Sequence, residues 1–346
     1  MNFFNFRSFY FLQASLAFFM IQGFTIAASN TQITGAGATF PYPIYSKWFN
    51  EYKKNNSKVD FNYQSIGSGG GIQQLLNQTV DFGASDAPVS DADLKKAAWP
   101  ILHIPTVMGS VALIYNMPGV SNLRISPAVL ADIMLGKITK WDDVAIVKLN
   151  PSAKIPKNKD ITVVTRADGS GTTSIFTDYL SITSSDWKSK VGSGKSVAWP
   201  VGISGKGNEG VTGIVQRTDG SIGYVELAYA LTNKLSFFAV QNQDNQFVLP
   251  TSETTSQAAN SLTNEDYKGD LRLSIVNAKG KNAYPISSFT YILLPLKKGD
   301  IQNKEVRNFL LWALTKGQSF ASDLHYASLP TKLSEALIHK LEAIKD

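Results

Sequence analysis

Two largely apolar runs constrain the fold of this chain most strongly: VMGSVALIYN at 107–116 and SSFTYILLPL at 287–296. A continuous run of this kind is typical of a strand that is buried on both faces of a sheet. KVDFNYQSI at 58–66 alternates like a strand, and VTGIVQRTDGSIGYVEL at 211–227 has a helix, turn, strand pattern. Apolar β-branched runs thus alternate with helical patterns along the chain, which predicts an α/β fold with open sheets.

The length and charge of the chain limit its class. A chain of 346 residues is too long for one ordinary core and fits two domains of about 150 residues each. The net charge of +6 is modest, and no run of lysine and arginine reaches five residues. The basic footprint of a nucleic-acid-binding protein is therefore missing, and we interpret the charge as a mild bias toward anionic ligands.

The first thirty residues have the layout of a secretory signal. A single charge, Arg7, precedes an apolar stretch that ends near Ile26, and small residues follow at Ala27 and Ala28. This order predicts a cleaved signal peptide at 1–28, although the apolar stretch is nearly long enough for an uncleaved membrane anchor. The chain has no cysteine, so neither disulfides nor a cysteine-linked lipid anchor is available. We expect an exported, soluble protein.

Three segments share one local design, in which a loop of small residues opens directly onto an amphipathic helix. These loops are GAGATF at 35–40, GSGGG at 67–71 and DGSG at 168–171. A helix start offers unpaired backbone N–H groups and the positive end of the helix dipole, and serine or threonine hydroxyls add donors. Ordinary helix capping uses the same residue types, so capping and an anion site both remain open.

Other chemistries fit the sequence less well. A nucleophilic serine needs a base, but the chain has only His103, His325 and His339 and no G-x-S-x-G elbow. The histidines are scattered without an H-E-x-x-H pair, which argues against zinc, and we expect His339 on a solvated helix face. VGSGKS at 191–196 resembles the end of a P-loop, but Ser189 stands where that motif needs a glycine. We predict an exposed loop there.

Carboxylates near the loops bear on which anion would fit. Asp168 stands two residues from Arg166, and Asp86 follows a strand-like run. An ionised carboxylate can only accept hydrogen bonds, so it suits an anion that still carries a proton and disfavours sulfate. Asp168 could also form a salt bridge that holds Arg166 in place, and Asp86 could form a turn before Pro88.

Longer blocks of the chain match a known family in that family's order. The blocks are TGAGATFPYPIYSKW (34–48), IGSGGGIQQ (66–74), VDFGASDAPVSD (80–91), LGKITKWDD (135–143), TRADGSGTTSIFTDYL (165–180), WPVGISGKGNEGV (199–211), GSIGYVE (220–226) and DLHYASLP (323–330). Through them the chain closely resembles the periplasmic phosphate-binding proteins that serve the high-affinity ABC transporter for inorganic phosphate. The resemblance covers nearly all of the chain after the predicted signal peptide.

The resemblance implies a two-lobe, type II periplasmic-binding-protein fold with the ligand in a cleft between the lobes. The strands that cross the hinge would be the runs at 107–116 and 287–296. One lobe would comprise residues 29–108 plus 288–346, and the other residues 109–287. Bending at the hinge would close the lobes around the ligand.

The resemblance also implies a site that holds phosphate wholly by hydrogen bonds. Asp86 would accept the phosphate proton, and Arg166 would donate to phosphate while paired with Asp168. Thr165 and Thr173 depart from residues found in some relatives, but neither is at a ligand position. The predicted phosphate-binding residues are Ala38, Thr39, Phe40, Ser68, Asp86, Arg166, Asp168, Ser170, Gly171 and Thr172.

The function implied is binding of inorganic phosphate in the periplasm and its delivery to the transmembrane permease subunits of the transporter. We expect a monomer without turnover, metal, cofactor or nucleic-acid partner. Two alternatives are a binder of another oxyanion, such as sulfate, molybdate or a phosphonate, and an exported phosphatase. Asp86 argues against a fully ionised oxyanion, and the lack of cysteine, clustered histidine and a Walker motif argues against a phosphatase.

Overall fold

A computed structural model describes residues 30–345, so the predicted signal peptide at 1–28 lies outside the described residues. The strands are β1 (Thr31–Gly37), β2 (Val59–Ser65), β3 (Phe82–Ser85), β4 (Ile101–Asn116), β5 (Arg124–Ile125), β6 (Thr162–Arg166), β7 (Ile203–Gly205), β8 (Ser221–Glu226), β9 (Ser236–Phe237), β10 (Ala239–Gln241), β11 (Phe247–Val248) and β12 (Ser287–Pro295). The helices are α1 (Tyr42–Asn55), α2 (Ser68–Leu76), α3 (Asp91–Leu94), α4 (Pro127–Met134), α5 (Val144–Leu149), α6 (Gly171–Thr183), α7 (Ser185–Lys190), α8 (Gly207–Arg217), α9 (Leu227–Thr232), α10 (Ser252–Ala259), α11 (Ile301–Leu314) and α12 (Thr331–Glu342). The predicted alternation of strands and helices is confirmed.

The helices that follow the three small-residue loops bury the faces that their apolar spacing predicts. Pro41 and Pro43 stand at the start of α1, where the backbone N–H that proline lacks has no helical partner. Burial of each large apolar side chain is worth about 1.5–3 kcal/mol, which anchors each helix and thereby its N-terminus. Leu76, which the same spacing places on the face of α2, is only half-buried. The buried residues of these faces include Ile44, Tyr45, Trp48, Phe49 and Tyr52 in α1, Ile72 and Leu75 in α2, and Ile175, Phe176, Tyr179 and Leu180 in α6.

One mixed sheet runs through the molecule in the order β2–β1–β3–β12–β4–β8–β6–β7, with β9 also paired to β4. β1 is parallel to β2 and β3, and β6 is parallel to β7 and β8. β4 joins the two halves, because its residues 101–110 pair with β12 and its residues 111–116 pair with β8. A separate small sheet has the order β11–β10–β5.

The two predicted buried strands are present, and one is longer than its apolar run. β12 covers nearly all of 287–296 and is buried throughout, whereas β4 begins at Ile101, before the predicted 107–116. Pro105 lies within this extension, next to a register shift between Thr290 and Tyr291 of β12. Proline cannot donate a ladder hydrogen bond, and a bulge accommodates it inside a strand.

A loop and the last long helix lie where the sequence predicts them. The segment 191–196 forms the predicted loop between α7 and β7, but only Ser193 and Ser196 within it are exposed and the rest is half-buried. His339 is exposed on α12, as predicted. Within the described residues, no helix combines the length and the apolar character that crossing a membrane requires.

The topology brings four helix starts to one region. β1 leads into α1, β2 into α2, β6 into α6 and β7 into α8. Ligands of open α/β sheets bind at the carboxyl ends of parallel strands, where such loops lie. β1 and β2 lie on the β12 side of β4, and β6 and β7 lie on its β8 side. The loops that follow these four strands therefore meet near β4 and β12.

Candidate functional site

A buried arginine, paired with a partly buried aspartate, stands at the end of β6. The Arg166 side chain is 1% exposed, and its Nε and Nη2 donate to the two carboxylate oxygens of Asp168 at 2.9 and 2.6 Å. The Gly207 N–H also donates to Asp168, at 2.9 Å. Burial raises the pKa of Asp168, but Arg166 and the Gly207 N–H more than offset it, so this pKa lies below its usual value. Asp168 is therefore an ionised carboxylate that orients Arg166, as the salt-bridge interpretation predicts.

The start of α6 lies directly beside this pair. The Ser170 hydroxyl caps the helix by accepting the Thr173 N–H at 3.0 Å. Thr172 follows in the first turn, and its hydroxyl accepts a hydrogen bond from Arg166 Nη1 at 3.2 Å. Both Ser170 and Thr172 are fully buried. The N–H groups of Gly171 and Thr172 belong to the first turn, where backbone donors have no intrahelical partner.

Ala38, Thr39 and Phe40 form the turn between β1 and α1 and are buried. Both backbone polar groups of Ala38 are engaged, since its N–H donates to the Ala84 carbonyl and its carbonyl accepts the Tyr63 hydroxyl. Ala38 thus shapes the turn. The Thr39 hydroxyl faces the other half of the sheet.

Asp86 follows β3 and is 2% exposed. The Thr290 hydroxyl donates to its Oδ1 at 2.8 Å, and the Ser68 hydroxyl lies 3.5 Å from its Oδ2. Burial raises the pKa of Asp86 to about 7, an effect that the Thr290 hydrogen bond, the Arg166 charge and Ser68 offset only in part. Near neutral pH this carboxyl can therefore either accept a proton or hold one.

The loops from the two halves of the sheet approach so closely that only glycine fits between them. A Cβ at Gly171 would lie closer than 3.0 Å to both Asp86 and Ser68, and a Cβ at Gly67 would lie as close to Asp168. Gly67 also has a φ of +88°, which favours glycine. The structure therefore brings the ten predicted residues together in one cluster built by four loops, and all of them except the partly buried Asp168 are buried.

Three further residues join this cluster. Asn208, on the first turn of α8, donates to Thr39 through its backbone and its side chain. The Tyr229 hydroxyl donates to the Thr39 carbonyl at 2.7 Å, and Thr290 holds Asp86. The glycines before Asn208 repeat the loop-onto-helix design, so a sequence signal for it exists. Tyr229 and Thr290 lie in apolar patterns that carry no such signal.

The arrangement suits an anion held by hydrogen bonds, and none of the bonds described above involves a histidine. His103 is buried and its Nε2 accepts the Val89 N–H at 3.1 Å, while burial lowers its pKa to about 4. His325 and His339 are exposed. Residues 30–345 contain no group of three or more His, Asp or Glu that could hold a metal ion.

Comparison with known proteins places the chain in a family. Residues 25–316 match the model described as the PBP superfamily domain. The chain is 46% identical to the phosphate-binding protein PstS of Xylella fastidiosa (strain Temecula1) over 88% of this chain and 83% of that one. It is 45% identical to the phosphate-binding protein PstS of Pasteurella multocida (strain Pm70) over 96% of this chain and 94% of that one.

Structural comparison identifies the same fold. The solved structure of the phosphate-binding protein from Stenotrophomonas maltophilia matches with a TM-score of 0.71 at 19% identity, covering 90% of this chain and 94% of that one. At this identity the likeness shows the two-lobe α/β architecture. With sequence identity of 45–46% to these two relatives, the chain belongs to the family of PstS phosphate-binding proteins, within the PBP superfamily.

Proposed function

We propose that this protein binds inorganic phosphate reversibly, in a form that still carries a proton, and delivers it to the permease subunits of an ABC importer. The observation that carries the proposal is the buried Asp86 carboxyl, which lies against the start of α6 among hydroxyl and N–H donors. Related proteins are named phosphate-binding proteins, which supports the same ligand.

The donors of the proposed site have capacity left for a ligand. Arg166 carries five N–H donors, and three of them bond Asp168 and Thr172, which leaves 5 − 3 = 2. We propose that phosphate oxygens accept hydrogen bonds from these two protons and from nearby hydroxyl and N–H groups. The Ser68 hydroxyl, which lies 3.5 Å from Asp86 in this structure, would turn to the ligand. The proposed hydroxyl donors are those of Thr39, Ser68, Ser170 and Thr172, and the N–H donors are those of Thr39, Phe40, Gly171 and Thr172. The positive end of the α6 dipole adds to this attraction. Ala38 would support the turn that presents Thr39.

Selectivity in this proposal comes from Asp86. Phosphate near neutral pH carries at least one proton and can donate it to the ionised carboxylate. Sulfate has no proton to donate, so its oxygens would face the carboxylate oxygens in a buried site. Asp168 pairs with Arg166 and so balances the positive charge of the guanidinium. The site would therefore bind its ligand mainly through directional hydrogen bonds.

We propose that the lobes are residues 29–108 plus 288–346 and residues 109–287, and that they close on phosphate by hinge bending. The change of pairing partner in β4, from β12 to β8 after Ser110, supports a boundary near this point. The Gly69 N–H donates to the Gly169 carbonyl at 2.7 Å, a contact between the two proposed lobes. Contacts of this type would form and break as the lobes move.

The proposal includes export through a cleaved signal peptide at 1–28 and action as a periplasmic monomer without turnover. The order of charge, apolar stretch and small residues at the N-terminus supports export. Mass spectrometry of the exported protein would locate the cleavage point, and light scattering would give its oligomeric state. A phosphate-ester release assay would test for turnover.

Titration calorimetry of the phosphate-stripped protein with phosphate and then sulfate tests the ligand. At about pH 8, where Asp86 is mostly ionised, we expect wild type to bind phosphate far more tightly than sulfate. Asp86→Asn should lose about 10- to 100-fold in phosphate affinity while gaining affinity for sulfate. Asp81→Asn is the matched control, because the Asp81 carboxylate accepts the Thr34 N–H, outside the site. Equal binding of the two anions by wild type, or binding of neither, would refute the proposal.

A further inference from the structure

Asn208 lies between two hydroxyls of the proposed site and bonds both. Its Nδ2 lies 2.6 Å from Thr39 Oγ1 and 3.3 Å from Thr172 Oγ1, and its backbone N lies 3.2 Å from Thr39 Oγ1. The side chain is fully buried. Asn208 therefore connects the turn after β1 with the first turn of α6.

The orientation of the Asn208 amide is determined by its other end. Its Oδ1 accepts the backbone N–H of Glu226, at the end of β8, at 2.9 Å. A flipped amide would place its NH2 group against this N–H, with two donors facing each other in a buried site. The NH2 group must therefore point at the two threonines, and it can only donate to them.

The two hydroxyls are consequently limited to one role. A hydroxyl oxygen has two lone pairs and one proton. The lone pairs of Thr39 Oγ1 receive the two N–H groups of Asn208, and those of Thr172 Oγ1 receive Asn208 Nδ2 and Arg166 Nη1. Within residues 30–345, neither hydroxyl donates to a protein acceptor. Each hydroxyl can therefore form one further hydrogen bond, in which it donates its proton.

We propose that Asn208 is a positioning residue that makes the hydroxyls of Thr39 and Thr172 donors toward the ligand. The inference rests on the proposed function, because the ligand oxygens are taken to be those of phosphate. A phosphate oxygen that meets these hydroxyls must accept a hydrogen bond, and an unprotonated oxygen is the better acceptor. The arrangement therefore favours the placement of the phosphate proton on the oxygen that faces Asp86. Asn208 would thereby act on proton placement without touching the ligand.

A thermodynamic cycle separates this role from a merely structural one. Phosphate affinity is measured for wild type, Asn208→Ala, the double variant Thr39→Val with Thr172→Val, and the triple variant. We expect Asn208→Ala alone to weaken phosphate binding by about 10- to 100-fold, since two hydrogen bonds to an anion lose their orientation. In the background that lacks both threonine hydroxyls, Asn208→Ala should lower phosphate affinity by less than about threefold. The effects of substitutions at contacting residues are not additive.

The control cycle pairs Asn208→Ala with Ser170→Ala, because the Ser170 hydroxyl bonds Thr173 and makes no contact with Asn208. In this control cycle, the fold-losses of phosphate affinity caused by Asn208→Ala and by Ser170→Ala should multiply in the double variant. Equal losses from Asn208→Ala with and without the threonine hydroxyls would overturn the inference. If wild type bound no phosphate, the proposed function would fail instead.

A second variant keeps the test valid if Asn208→Ala does not fold. Asn208→Asp keeps an acceptor for the Glu226 N–H and replaces the donor group with a second acceptor. The threonine hydroxyls would then turn toward this carboxylate, and phosphate affinity should fall at least as far as with alanine. Wild-type affinity in a folded Asn208→Asp protein would overturn the inference.

Discussion

Replacing Asp86 by asparagine should stabilise the phosphate-free protein, although the same change should weaken phosphate binding. The carboxyl is buried, and burial raises its pKa from the usual 3.8 to about 7. An ionised Asp86 is therefore costly in the folded protein at pH 8. Asparagine has a similar shape, can accept the Thr290 hydroxyl and carries no charge.

The size of the effect follows from the two pKa values. Below about pH 4 the carboxyl is protonated in both the folded and the unfolded chain, so folding does not depend on its titration. Between about pH 4 and pH 7 the folded chain binds one proton more, and each unit of pH lowers the free energy of unfolding by about 1.4 kcal/mol. Above pH 7 the loss reaches its limit of about 4 kcal/mol.

Urea unfolding of both proteins in phosphate-free buffer, from about pH 4.5 to about pH 8.5, measures this difference. We expect the stability of Asp86→Asn relative to wild type to rise by about 3–4 kcal/mol across that range and to level off above pH 7. Asp323→Asn supplies the reference for loss of one exposed carboxylate. A difference that does not change with pH would refute the reasoning, because Asp86 would then be ionised throughout.

Two other outcomes follow from the same cluster. Sulfate affinity of wild type should rise about tenfold from pH 8 to pH 5.5, because a protonated Asp86 can donate to sulfate; calorimetry that finds no change would contradict this. Gly171→Ala should weaken phosphate binding by about 10- to 100-fold, since its Cβ would collide with Asp86 and Ser68. Gly269→Ala, whose Cβ would meet nothing within 4 Å, should bind phosphate like wild type in the same titration.

Local patterns were sufficient to predict the elements that present the site. The apolar spacing identifies the buried faces of α1 and α6, and the run at 287–296 identifies β12 within one residue. Such features depend on periodicity over neighbouring residues, which a sequence records directly. The start of β4 was not predicted, because Pro105 interrupts the pattern and a bulge at the adjacent Thr106 of β4 accommodates it.

The cluster itself depends on pairs that are distant along the chain. Asp86 meets Thr290 and approaches Gly171, and Asn208 meets Thr39, across separations that no local period encodes. The family resemblance supplied the ten residues of the proposed site, but it assigned no role to Asn208, Tyr229 or Thr290.

The amino-acid pattern was enough to identify an α/β chain with glycine-rich helix starts, an arginine–aspartate pair and an acid suited to an anion that carries a proton. The tertiary structure determines that Asp86 is buried, which raises its pKa to about 7. It also determines that Asn208 donates to Thr39 and Thr172, so that each of these hydroxyls can bind a ligand only as a donor. These properties arise from burial and from the filling of lone pairs by distant donors. Both require the three-dimensional arrangement of residues that are far apart in sequence.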